Sequence, residues 1–233
     1  MVEDAHKKAV SYLVSKCPDL AVVSVLAYGS YARGDYRPDS DLDVLVVVDS
    51  SRYSSEDLKR LVEICIFCKK EFKVALQMDV ILDLEIDLWN KGILLDGHSF
   101  VDLSFYRKEG VVLFGVDVRD RFRVPEDFRE KARDVLGVVE AEFKHWFCQG
   151  HGRKRFVPHW MTGWVLAAFL NILGFVDVPG FKETCDHVAQ IPVLAATPMF
   201  EKFRRKRELT ADEFIELMRM IKGYVATGRF GQL

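Results

Sequence analysis

Charge of one sign is what this sequence has least of. Its 33 Lys and Arg nearly offset 35 Asp and Glu, leaving a formal net charge of −2 across 233 residues. A dedicated nucleic-acid binder usually carries a strong basic excess, so composition indicates no nucleic-acid partner. Apolar runs of bilayer length are also missing, which argues against a membrane-spanning segment. The first residues, MVEDAHKKAV, are charged and lack the apolar stretch of a secretory signal. Cysteines are few, scattered and odd in number: Cys17, Cys65, Cys68, Cys148 and Cys185. Without a secretory segment, that pattern argues for reduced thiols and a cytoplasmic protein. Cys65 and Cys68 have the spacing of a redox or zinc pair. No second pair follows, and both fall in an apolar helical pattern, so core packing is expected. Internal repeats and low-complexity tracts are absent.

What the chain does have is a dense pattern between residues 22 and 49. The apolar run Val22 to Ala27 reads as a buried strand that ends at Gly29-Ser30. Asp41 and Asp43 then open a second apolar run, Val44 to Val48. Side chains alternate along a strand, so Asp41 and Asp43 are expected on one face and Leu42 and Val44 on the other. Two adjacent carboxylates repel each other and lose hydration when partly buried. A cation between them removes that cost, and hard oxygen donors suit Mg²⁺. Gly29 allows close backbone approach to a ligand. A helix opening at Ser30 aims free N–H groups and a hydroxyl at an anion. A phosphate cradle facing a metal-binding acid pair is equipment for phosphoryl or nucleotidyl transfer.

Gly29-Ser30-Tyr31-Ala32-Arg33-Gly34, followed by Ser40-Asp41-Leu42-Asp43, resembles the signature of the DNA polymerase beta-type nucleotidyltransferase superfamily. The form is closest to the minimal nucleotidyltransferases and the aminoglycoside nucleotidyltransferases. The resemblance implies a third carboxylate on the strand beside Asp41 and Asp43. The apolar stretch Phe72 to Leu82 reads as that strand, and Asp79 inside it is the candidate; Asp83 is the alternative, placed where the strand should end. Asp79 would bind the catalytic metal and orient the proton of an attacking hydroxyl. Gly29, Ser30 and Arg33 are the candidate nucleotide contacts, with Arg37 a weaker one, because a guanidinium is a fixed fork for phosphate oxygens.

Around this motif the chain reads as helices and strands in alternation. Residues 3 to 16 form an amphipathic helix. A second helix, from about Glu56 to Lys70, is capped by Ser54 or Ser55, with Leu58, Leu61, Val62, Cys65 and Ile66 inward. Residues 83 to 98 suggest a helix broken at Gly92, and Phe100 to Lys108 another. Glu109 to Gly115 reads as turn, strand, turn, similar to a stretch that closes the catalytic domain of small nucleotidyltransferases. A boundary is therefore expected near residue 120.

From Glu126 onward the pattern is helical. Ala132, Val135, Leu136, Val139, Phe143 and Trp146 mark one helix, and Trp160 to Leu173 is the apolar centre of a second core. Helices near Phe181 to Gln190 and Asp212 to Val225 follow, the last capped by Thr210. Trp146, Trp160 and Trp164 are expected in the core. In some aminoglycoside nucleotidyltransferases a C-terminal-domain glutamate is the catalytic base, which makes Glu140 and Glu142 candidates; a solvated helix face is the plainer expectation for both. The basic stretch from His151 to His159 is a candidate anion contact against the default of a solvated loop.

The expected architecture is an α/β (α+β) nucleotidyltransferase fold with a short mixed sheet over residues 1–120, then an all-α helical bundle over 121–233. The expected reaction is Mg²⁺-dependent transfer of a nucleoside monophosphate, AMP from ATP, to a hydroxyl of a small-molecule acceptor, releasing pyrophosphate. Asp41, Asp43 and Asp79 form a two-metal catalytic set in this reading. The alternatives are a protein or RNA acceptor, or a non-catalytic nucleotide-binding module. Relatives of the antibiotic-modifying type suggest a homodimer.

Overall fold

The computed structural model describes residues 4–90, 105–124, 126–148, 156–175 and 181–229. They divide into two compact units. The first holds residues 4–90 and 105–123; the second holds 124, 126–148, 156–175 and 181–229.

The first unit opens with α1 (Ala5–Lys16), whose Asp4 cap accepts from the His6 N–H. Then come β1 (Val22–Tyr28), α2 (Gly29–Arg33) and β2 (Leu42–Val48). The helix α3 (Ser55–Phe67) starts on a reciprocal cap between Ser54 and Asp57. After β3 (Leu76–Leu82) and α4 (Glu85–Asn90), the unit closes with β4 (Val111–Gly115). The four strands make one mixed sheet in the order β3-β2-β1-β4. β1 is antiparallel to both β2 and β4, whereas β2 and β3 are parallel. Parallel neighbours need a crossover, and α3 supplies it. One sheet face packs Val44, Val46 and Val48 against Ala9 and Leu13 of α1 and Leu61 and Ile64 of α3.

Two readings of this unit need correction. The third strand begins at Leu76, not Phe72. The α3 helix runs on into a π-helical turn, Cys68–Phe72, and stops at Lys73 in a left-handed conformation (φ 61°). The inward stripe of α3 is Leu61 and Ile64, continued by Cys68; Leu58, Val62 and Ile66 are 46%, 49% and 61% exposed. The helix carries two neighbouring apolar stripes, and periodicity alone does not say which one meets the sheet. Cys68 is buried in the core and Cys65 is half-buried, both as free thiols. Of the expected helical stretch over 83–98, Asp83 and Leu84 form a turn and α4 follows; residues 91–98, and residues 100–104 of the next stretch, lie outside the described residues. Phe105–Glu109 is a single π-helical turn.

Among the described residues, the second unit is helical apart from one two-residue ladder. Its elements are α5 (Phe128–Cys148), β5 (Phe156–Val157), α6 (His159–Ile172), α7 (Phe181–Val188), α8 (Pro192–Ala195), α9 (Pro198–Arg204), β6 (Leu209–Thr210) and α10 (Ala211–Thr227). The ladder, Phe156 against Thr210 and Val157 against Leu209, is too short to leave an alternating pattern in the sequence. Pro192 and Pro198 begin α8 and α9, because a first-turn proline forfeits no helical hydrogen bond. Ala132, Val135, Leu136, Val139 and Phe143 of α5 are buried, as is most of α6. Trp160 is not core: it is 48% exposed and meets Trp164 edge-on at 5.0 Å. The side chain of Trp146 and the basic residues 151–155 lie outside the described set. Among the described residues, no helix is long and apolar enough to cross a membrane.

Candidate active site

Strand register decides which side chains share a face. Tyr28 of β1 stands opposite Asp43 of β2, and Leu45 of β2 stands opposite Asp79 of β3. Asp43 and Leu45 are two residues apart and so point the same way. Tyr28, Asp43 and Asp79 therefore lie on one face of the sheet. Leu42 and Val44 are in the core cluster on the other. Asp41 precedes β2 and keeps the same parity. Asp83 is different. It follows the end of β3, level with Asp49, and accepts from the Ser50 N–H. At about 3.3 Å per residue, that is roughly 20 Å along the sheet from Asp43. Of the two candidates for a third acid, only Asp79 is near the pair.

The charges of these acids act on one another. Burial, reinforced by the negative charges of Asp41 and Asp79 and opposed by Arg33, pushes the Asp43 carboxyl up to about 7. A carboxyl so placed is short of a counter-charge. Asp79 has neutral partners: the hydroxyl of Tyr28 donates a short hydrogen bond to its Oδ2, and that of Tyr106 reaches the same oxygen at 3.3 Å. Tyr106 is buried, edge-on to Tyr28 at 5.0 Å and stacked on Trp89 at 6.0 Å.

Gly29 and Ser30 open α2 directly beside the acids. Gly29 has φ 67°, and a Cβ there would fall 2.3 Å from Asp43 Oδ2. Glycine is thus required both by the backbone conformation and by the approach of Asp43. The guanidinium of Arg33 donates to Glu109 at 2.8 Å and lies 3.5 Å from Asp35. Arg37 donates its backbone N–H to Ser40 Oγ within the loop before Asp41. Glu140 lies in the second unit and pairs with Lys222 and with Lys144; Glu142 of the same helix is exposed.

Hard carboxylate donors on one face, one of them raised by desolvation and by its neighbours' charge, have the chemistry that suits Mg²⁺. They do not close into a ready-made cage: among the described residues, no three His, Cys, Asp or Glu side chains gather in a metal-holding group. Sequence reasoning did not anticipate Tyr28, Tyr106 or the partner role of Glu109. Tyr28 was in reach, since it precedes Gly29 and shares parity with the facing acid. Tyr106 left no signal, because it arrives from a turn 27 residues beyond Asp79.

Residues 6–108 match the model of the nucleotidyltransferase domain. A protein of Methanocaldococcus jannaschii, provisionally named a protein adenylyltransferase, is 33% identical over 115 residues, spanning 48% of this chain and 97% of that one. The chain belongs to the nucleotidyltransferase family. The family match falls in the first unit, where the Gly29-Ser30 turn and the acids stand. Among solved structures, the spectinomycin adenyltransferase of Enterococcus faecialis, determined with ATP and spectinomycin, aligns with 96% of this nucleotidyltransferase and 98% of its own chain. The TM-score is 0.53 and the identity 12%, a likeness of fold alone. A toxin–antitoxin structure with AMP-PNP aligns with 60% of this chain and 90% of its own, at 11% identity and a TM-score of 0.33, too low to carry weight.

Proposed function

We propose that the chain transfers AMP from ATP, with Mg²⁺, to a hydroxyl of a small-molecule acceptor. The observation that carries this reading is the shared face of Asp43 and Asp79, with the Asp43 carboxyl raised by desolvation and, beyond that, by the charges of the acids beside it. The Gly29 backbone and the Ser30 hydroxyl hold the terminal phosphates of ATP. Asp41, Asp43 and Asp79 would hold the metal. Bound Mg²⁺ supplies charge stabilisation at the attacking and leaving oxygens. Asp79 orients the acceptor hydroxyl and takes its proton as the acceptor oxygen bonds to the α-phosphorus and pyrophosphate departs. Arg33 exchanges Glu109 for a phosphate oxygen when the nucleotide enters.

Support for a small acceptor comes from the fold likeness to the spectinomycin enzyme, which extends through the second unit. A protein acceptor is the second reading, favoured by the M. jannaschii relative, almost the whole of which aligns with the first half of this chain. Free Cys17, Cys65, Cys68 and Cys185 are in keeping with a cytoplasmic setting. A homodimer would sediment at twice the chain mass.

The test is pyrophosphate release from ATP with and without Mg²⁺, using candidate aminocyclitols and a lysate protein fraction as acceptors. Label from α-phosphate-labelled ATP in small molecules supports the first reading, and label in protein supports the second. No release with any acceptor, and no ATP binding, would end both.

A further inference from the structure

His6 is 1% exposed, titratable, and outside the machinery described so far. It sits in the first turn of α1, yet its ring reaches the loop that leads into Asp41. Nε2 lies 2.9 Å from the carbonyl oxygen of Ser40. A carbonyl only accepts, so Nε2 carries the proton in this contact. That carbonyl belongs to the peptide joining Ser40 to Asp41. The peptide on the other side of Asp41 is held as well, because the Leu42 N–H donates to Ala75 O at 2.9 Å. With both flanking peptides fastened, the Asp41 backbone has little freedom, and its side chain leaves the chain in a set direction.

The ring is itself held from several sides. It stacks on Tyr31 of α2 at 6.3 Å and lies against Tyr36 of the loop at 4.7 Å. The Tyr36 hydroxyl donates to Asp4, whose other oxygen is 3.6 Å from His6 Nδ1 and accepts the His6 N–H at 2.9 Å. This group ties together the N-terminus of α1, the Gly29-Ser30 helix and the loop before Asp41. We propose that His6 is a positioning residue for Asp41, setting that carboxylate against the Gly29-Ser30 turn through the Ser40 carbonyl. The inference rests on the reading of Asp41 as a metal-holding acid.

The experiment uses the full chain and the variants His6→Ala, His6→Gln, Tyr36→Phe and Asp41→Asn. Three quantities are measured: Mn²⁺ affinity by calorimetry in the presence of a non-hydrolysable ATP analogue, kcat and KM for pyrophosphate release, and Tm. Groups that orient a metal ligand typically matter by 10- to 100-fold, so His6→Ala should weaken Mn²⁺ binding and lower kcat by about tenfold, with KM for ATP little changed. His6→Gln keeps an N–H donor at similar reach and should recover most of both losses, which a mere packing role would not predict. Tyr36→Phe should shift Mn²⁺ affinity in the same direction by less, and it decides the matter if His6→Ala does not fold. Wild-type Mn²⁺ affinity in His6→Ala, or in Tyr36→Phe where it stands in, overturns the proposal if Asp41→Asn has lost it. Unchanged binding and turnover in Asp41→Asn would instead sink the underlying reading of the site.

Discussion

The two faces of the four-stranded sheet are made from the same strands and are both apolar and buried along most of β2, at Val44, Val46 and Val48 on one and at Leu45 and Val47 on the other; they differ at the end where β2 begins. On one, Leu42, Val44, Val46 and Val48 alternate along β2 and bury themselves under α1 and α3. On the other, Asp43 follows that alternation in antiphase, with Asp79 on the next strand and Tyr28 on the strand before. The apolar face holds the unit together. The acids at the end of the other face cost stability, because Asp43 is half-buried among like charges. The fold keeps these acids only by anchoring them to a stable face through a period of two. Changes on the acidic face should therefore remove activity and leave the fold, and changes on the apolar face should do the reverse.

The largest expected effect is on the acids. Asp43→Asn or Asp79→Asn should lower pyrophosphate release about a thousandfold, the equivalent of about 4 kcal/mol of charge stabilisation, with Tm unchanged or raised. A variant that stays active would show that the acidic face is not the catalytic one. Gly29→Ala comes next. Its Cβ would fall 2.3 Å from Asp43 Oδ2 at a backbone angle that disfavours side chains, and displacing the turn should cost about a hundredfold in turnover.

Val46→Ala tests the other face. Emptying a fully buried position should cost about 2 kcal/mol in urea unfolding, with turnover per folded molecule retained. A loss of catalysis there without a loss of stability would erase the distinction between the faces.

A pH scan sharpens it. Asp43 titrates at about 7 in the folded chain, against 3.8 for an ordinary carboxyl. The native state then binds more protons than the unfolded state between pH 4 and 7, so metal-free stability should fall as pH rises through that window. Asp43→Asn should flatten this part of the profile, and so should added Mg²⁺. The smallest effect is expected from Glu140→Gln, which loses pairs with Lys222 and Lys144 on a partly exposed helix face and should change turnover by less than about twofold. A hundredfold loss would make that glutamate the base and move the catalytic boundary beyond the sheet.

Much of the acidic face was legible beforehand, because Asp41, Asp43 and Gly29-Ser30 lie within one short local pattern. Asp79 was legible as an acid in an apolar strand, although the start of that strand was read four residues early. Periodicity does not reveal where a helix tightens into a π turn, as it does at Cys68–Phe72. The stripe of α3 that packs inward was misread for a related reason. Leu58, Val62 and Ile66 repeat at helical spacing as well as Leu61 and Ile64 do, and only contact with the sheet distinguishes them.

By itself the chain determined a glycine-serine turn, an acid pair at the head of an apolar strand, and the alternation that puts those acids on one side. These are local, and local sterics and side-chain parity suffice to dictate them. Tertiary structure alone decided that Asp79 rather than Asp83 lies near Asp43, that Tyr28 and Tyr106 meet on its oxygen, and that His6 reaches the Ser40 carbonyl 34 residues on. Those outcomes depend on strand register and on contacts between segments distant in the chain, and nothing in a neighbouring residue's identity encodes them.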